Sequence, residues 1–253
     1  MCPVTARFTI VTIASDTAGN LSATLTAIGE TMTGASFQSI IVANGIEVGQ
    51  AFLSKLRFQS TLLRTAAAVS PGALLNSAVE RAEGEYVAFL PAGAILEPHW
   101  GVAATAAFEH AEVAGVVPRV LDGTGTLVRA CGTGIRFGRL AHIHAGLQRD
   151  AVDVLRPTVL DLAPLCGFVL RRQHVATVGG YDADFPASLF DYDWTLRARL
   201  KGLAIAYRPD FTLRYDGSLP LGQEHGERSS TTHFFQRWQT VFTPHLNAET
   251  FLS

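Results

Sequence analysis

The sequence predicts an α/β fold built on a mostly parallel sheet, and two observations carry that prediction. Apolar, β-branched runs of strand length recur through the first hundred residues, and segments with helical spacing separate them. Strand–helix–strand–helix–strand within ~80 residues calls for right-handed crossovers, which lay such strands side by side and parallel. Composition agrees: of 253 residues, 48% are hydrophobic and 17% charged, as in a globular chain with a substantial core.

Taken in order, Phe8-Thr9-Ile10-Val11-Thr12-Ile13 reads as a buried strand. From Asn20, Leu21, Leu25 and Ile28 follow helical spacing. Ser39 to Ala43 is a second strand closed by Asn44-Gly45, Leu74 to Ala82 a helix, and Glu85 to Leu90 a third strand. Val116 to Ile135 alternates and is glycine-rich, which suits strands and hairpins. Arg136 to Arg149 shows no period and reads as a long loop. Leu165 to Leu170 reads as a strand, Arg171 to Val178 as a short helix, and Leu189 to Leu200 as a helix capped by Gly202. Ala204 to Tyr207 and Phe211 to Tyr215 are expected as two strands. With no repeat or linker, one domain over 1–253 is expected.

Bulk properties exclude several classes. A net charge of −2 and a pI near 6.4 give no basic face for nucleic acid. Cys2, Cys131 and Cys166 are odd in number and widely spaced, so they predict neither a disulfide framework nor a metal knuckle. No apolar run reaches the ~20 residues that span a bilayer. The N-terminus has no basic region followed by an apolar core, so no signal peptide and a cytoplasmic location are expected.

Residues 84–98, GEYVAFLPAGAILEP, pose the functional question. The strand ends in Pro91-Ala92-Gly93, at the carboxyl tip where α/β proteins place working side chains. Together with "FTIVTIASD", "IIVANG", "SPGALLNSAVERAEGEYVAFL", "CGFVLRRQHVATVGGYD" and "FDYDWTLRARLKGLAIAYRPD", this stretch resembles the family 2 glycosyltransferases. The resemblance runs from the first strand to about Trp238. It implies the GT-A fold: a Rossmann-like, mostly parallel sheet flanked by helices, with a smaller mixed sheet on the acceptor side. Residues 1–100 then form a nucleotide-binding half and 101–253 an acceptor-binding half.

In that family an Asp-x-Asp motif, whose carboxylate holds a divalent metal on the donor diphosphate, follows the Gly-Glu-Tyr strand. Pro91-Ala92-Gly93 stands there instead. The family's base-binding aspartate corresponds to Ala43, and its later histidine to Tyr215 in "LRYDGS". The resemblance therefore implies a nucleotide-sugar donor and a glycan or other hydroxyl acceptor, with the metal site lost and no cofactor. Matching positions implicate Ala14, Asp16, Asn44, Asn76, Ala92, Arg214 and Arg228 in donor binding. On the acceptor side they implicate Gly167, Asp193 and Arg197, with Asp191 as the general base.

Each residue also has a plainer reading. Asp191 at a helix start suits a cap as well as a base, and the two roles are compatible. On that view Asp191→Asn keeps the cap and removes the base. Asp193, inside the first turn, suits a structural role, and Arg197 suits either an ion pair with Asp193 or Asp191 or a solvated helix charge. Arg208, Arg214 and Arg228 suit either solvated surface or, in a metal-free site, neutralisation of a leaving diphosphate. His142-Ile143-His144 reads as a polar surface loop, and Cys166 as a small buried hydrophobe. A catalytically silent domain that binds a glycan or protein partner is the alternative function.

Overall fold

The computed structural model describes residues 7–14, 18–65, 69–136, 139–185, 188–219 and 228–250, with residues 18, 136, 228 and 242–250 described in backbone alone. The first half alternates as expected: β1 (Phe8–Ile13), α1 (Ala18–Thr31), β2 (Phe37–Asn44), the single turn α2 (Gln50–Leu53), β3 (Ser60–Thr65), α3 (Pro71–Glu80) and β4 (Tyr86–Pro91). Local chemistry sets α3: Ser70 Oγ accepts the Ala73 N–H at 3.3 Å, and Pro71 opens the first turn with its fixed φ. The short β5 (Ile95–Leu96) and α4 (Trp100–Ala106) lead into the second half.

That half contains β6 (Val113–Leu121), β7 (Val128–Ala130), β8 (Thr133–Arg136), β9 (Arg139–His142), β10 (Thr158–Val159) and β11 (Val169–Arg171). It closes with α5 (His174–Val178), α6 (Phe190–Leu200), β12 (Ala204–Arg214) and α7 (Arg228–Thr250). Three expectations change. Part of the expected loop, Arg139 to His142, is a strand hairpinned on β8. Of the strand expected over 165–170 only Val169 and Leu170 qualify, because Leu165 to Phe168 forms a turn. The two late strands are one, β12, whose pairing with β6 slips between Arg208 and Thr212.

The main sheet runs β10-β12-β6-β11-β4-β1-β2-β3, with β5 beside β12 and β7 beside β6. β3, β2, β1 and β4 are mutually parallel; β11 runs against both β4 and β6, and β12 lies parallel to β6. Alternate residues bury both faces, as a helix-covered sheet requires. Val11, Ile40 and Phe89 pack in one core with Leu74 of α3 and Trp194 of α6. Ile10, Ile41 and Ala88 pack in the other with Leu25 of α1 and Trp100 of α4. Register brings the strand tips level, Ile13 lying opposite both Val42 and Pro91.

Candidate active site

The strand tips are joined by backbone. Ala14 N–H donates to Val42 O at 2.9 Å, and Ala92 N–H to Ile13 O at 2.8 Å. Gly93 turns the chain at φ +98°, a conformation that favours glycine, and its N–H donates to Thr24 Oγ1 at 2.8 Å. Above these tips lies a pocket of about 160 Å³, bounded by Pro91, Cys166, Ser188, Leu189, Asp191 and Ser218 among others. It stands at the carboxyl ends of parallel strands, where α/β sheets bind ligands. A larger open groove of about 1030 Å³ runs along Phe37, Arg57 and Ser60 at the amino ends, so its size does not recommend it.

Asp191 is placed by two backbone donors. Its Oδ2 accepts the Leu165 N–H at 2.8 Å and its Oδ1 the Tyr192 N–H at 3.0 Å. It is not the cap of α6. That position belongs to Leu189, which makes no side-chain cap and holds φ 67°. A left-handed leucine costs about 1–3 kcal/mol, and such strain collects where structure positions a ligand. Behind Asp191, Tyr181 packs edge-on to Phe190 at 5.5 Å, with its hydroxyl buried and unpartnered. Burial first, then the Asp191 charge, pushes that phenol well above its ordinary value of 10.0.

The structure brings Asp191, Pro91 and Cys166 together, and it assigns several other expected residues elsewhere. Asp193 is fully buried: it pairs with Arg197 Nε at 2.8 Å and Arg237 Nε at 2.9 Å, and accepts the Trp238 indole N–H at 3.1 Å. Arg197 also donates to Val178 O and Gly180 O, so both residues lock α6 to its neighbours. Asn76 is held at both amide atoms by the Tyr181 backbone, at 2.8 and 2.7 Å. Asn44 ties the end of β2 to Thr65 and Val69. Arg214 reaches Gly123 O, and Arg208 makes a two-point ion pair with Asp210. Ala14 and Ala92 are buried strand tips, Asp16 lies outside the described residues, and Arg228 opens α7. Gly167, at φ +75°, donates to Phe89 O at 2.9 Å, and a side chain there would overlap Leu213 and Pro118.

Near the pocket, Arg129 and Ser188 carry no sequence signal, and His142 lies elsewhere than its sequence reading put it. Arg129 of β7 donates to Tyr215 O at 2.8 Å and Gly217 O at 2.6 Å, fixing a permanent charge beside that segment. Ser188 lines the pocket next to Leu189. His142, expected on a surface loop, is half-buried; its Nδ1 meets Thr133 Oγ1 at 3.2 Å and its Nε2 meets Leu219 O at 3.1 Å. Cys166 is buried, which pushes its thiol up and makes it a poor nucleophile.

No family model matches this sequence, and no curated protein does. Solved structures do match. GalNAc-T7, solved with UDP, GalNAc and Mn2+, superposes with 90% of this chain at a TM-score of 0.70 and 10% identity. The fold is GT-A. The chain spans 47% of the length of that structure. The mannosyltransferase PcManGT from Pyrobaculum calidifontis, solved with GDP-Man and Mn2+, covers 97% of this chain and 69% of its own, with a TM-score of 0.64 and 18% identity. S. aureus TarS 1-349 covers 83% and 60%, with a TM-score of 0.58 and 13% identity.

Among the described residues, the tip of β4 offers no side-chain ligand that fits a divalent cation. Pro91, Ala92 and Gly93 carry no carboxylate, and a β-carbon at 93 would lie 3.6 Å from the Tyr215 ring. Burial, with a smaller contribution from Cys166, raises the Tyr215 phenol to about 12, far from the anionic form a hard cation wants. Among the described residues no three His, Cys, Asp or Glu side chains converge.

Proposed function

We propose that this chain is a glycosyltransferase that passes a sugar from a nucleotide-activated donor to a hydroxyl acceptor without a bound metal. The observation that carries the reading is Asp191, its carboxylate fixed by the Leu165 N–H in the wall of a pocket at the strand tips. Asp191 takes the acceptor's proton as its oxygen bonds to the anomeric carbon. The nucleoside diphosphate leaves with the electrons of the broken bond. Arg129, anchored on Tyr215 O and Gly217 O, supplies fixed positive charge to that part of the wall. Two buried free thiols, Cys131 and Cys166, suit the reducing cytoplasm we assign to it. No helix among the described residues is long and apolar enough to cross a membrane.

The test is a thermal-shift screen against UDP- and GDP-sugars with Mn2+ and with EDTA, followed by transfer assays of Asp191→Asn. Stabilisation by a sugar nucleotide, equal in both buffers, is expected, and the variant should lose ~10²–10⁴-fold in transfer rate. Binding that needs Mn2+ would overturn the metal-free reading, and intact turnover in the variant would remove Asp191 as base. The carboxylate-free tip of β4 favours one second reading, a silent GT-A domain that binds a glycan or protein. That reading stands if no sugar nucleotide binds in either buffer.

A further inference from the structure

Asp191 and Leu219 both line the pocket, and a line of hydrogen bonds joins the segments that carry them. On α6, next to Asp191, the Tyr192 hydroxyl lies 3.0 Å from Thr133 Oγ1 of β8. Thr133 Oγ1 lies 3.2 Å from Nδ1 of His142 on β9, and His142 Nε2 lies 3.1 Å from Leu219 O. Tyr192 and Thr133 are fully buried, so their hydroxyls depend on partners within the protein.

The direction of every bond follows from the last member of the line. A carbonyl oxygen only accepts, so His142 Nε2 carries a proton. Burial lowers the imidazole below its ordinary 6.5 and keeps it neutral, so Nδ1 accepts the Thr133 hydroxyl proton. Thr133 has then given its one proton to His142, and it accepts from the Tyr192 hydroxyl. The relay runs one way, from Tyr192 through Thr133 and His142 to Leu219. Its end completes a pattern: Arg129 of β7 holds Tyr215 O and Gly217 O, and His142 holds Leu219 O. Alternate residues of that segment are all tied to side chains of β7 and β9.

We propose that His142 is a positioning residue, which as the Nε2–H tautomer ties the Leu219 wall of the pocket to the helix carrying Asp191 and fixes the pocket's width before a ligand enters. Asp191 has its own backbone donors, Leu165 and Tyr192, so His142 sets the shape of the pocket rather than the state of the base. The positioning holds for the pocket whatever it binds, and its part in a reaction rests on the transferase reading.

Cys166 supplies the readout. It borders the pocket and packs in one core with Tyr215 and Leu219, whereas Cys131 packs in the other core, and both thiols are buried. Iodoacetamide labelling of the whole chain, resolved peptide by peptide, compares the wild type with His142→Phe and His142→Gln. The first fills the ring's space without a donor, and the second keeps an N–H near the place of Nε2. His142→Phe should speed Cys166 labelling about five- to tenfold, one hydrogen bond's worth of opening, and change Cys131 by less than about twofold. His142→Gln should leave both thiols within about twofold of the wild type. Nitrogen-15 spectra near neutral pH, assigned by the signal lost in His142→Gln, should show the Nε2–H tautomer. An Nδ1–H tautomer, unchanged Cys166 labelling in His142→Phe, equal acceleration at both thiols, or a His142→Gln variant as open as His142→Phe would each overturn the proposal. If the expected results hold and no sugar nucleotide binds, the transferase reading falls while His142 keeps its place in the pocket.

Discussion

Asp191 and Asp193 sit two positions apart on α6, and burial divides their work. Asp193 is enclosed and holds two arginines and an indole, whereas Asp191 lines the pocket. Removing Asp193 leaves the buried Trp238 indole N–H without its acceptor. It also takes one partner from Arg197, which keeps Val178 O and Gly180 O, and one from Arg237, which keeps Asp182. Asp193→Ala should therefore cost about 1–3 kcal/mol. Urea unfolding measures this; a loss below 1 kcal/mol would contradict the assigned role. Asp191→Asn is gentler but not silent. The amide has one accepting oxygen where the carboxylate offered two, so one of the Leu165 and Tyr192 N–H bonds is lost. About 1 kcal/mol, or roughly 2–4 °C of melting temperature, is the expected effect. Sequence alone placed Asp191 on the right helix. It gave Asp191 and Asp193 different roles by resemblance, but the burial of Asp193 was not legible locally, because it depends on Trp238, 45 residues away.

At the level of elements, the parallel half was legible because β1 and β2 are rich in β-branched residues and β4 is an apolar run, each with turn residues at its end. β12 was harder, since Pro209-Asp210 reads as a break. The strand survives because Pro209 falls where the ladder with β6 slips, and a proline missing its N–H is tolerated at such an irregularity. The turn at 165–168 was misread as strand because burial, rather than pairing, accounts for its apolar residues. Gly167 is its pivot, with positive φ and with Leu213 and Pro118 filling the space where a side chain would go. Gly167→Ala should therefore lose roughly 2–4 kcal/mol through strain and overlap. A thermal melt would show it, and an unchanged midpoint would mean that β6 and β12 yield more easily than their packing suggests.

For the molecule as a whole, acid sensitivity is the readable consequence. Burial lowers the His142 imidazole below its ordinary 6.5, with Arg129 adding to the effect and the Leu219 carbonyl opposing it; His174 is lowered by burial likewise. A depressed folded-state value means the unfolded chain binds protons first. That stability is complete above pH 6.5 and drains away as pH falls through the lower folded values. Melting temperature should decline from pH 7 to 5.5, and His142→Gln should flatten the decline; an equal slope in the variant would exclude His142. Another whole-molecule consequence concerns the phenol at the tip of β4. Gly217 leaves room that the Tyr215 ring occupies, and Tyr215 in turn closes over Gly93. The three positions are interlocked, so no single substitution among them builds a cation site. Tyr215→His alone should show no Mn2+ uptake by calorimetric titration, because the imidazole would arrive without a carboxylate opposite it. An aspartate at 93 would have to adopt φ near +98°, and one at 92 would be walled in. A cation site at this tip would need a carboxylate at 92 or 93 and a new side chain at 215 together, because each position is closed by its neighbour.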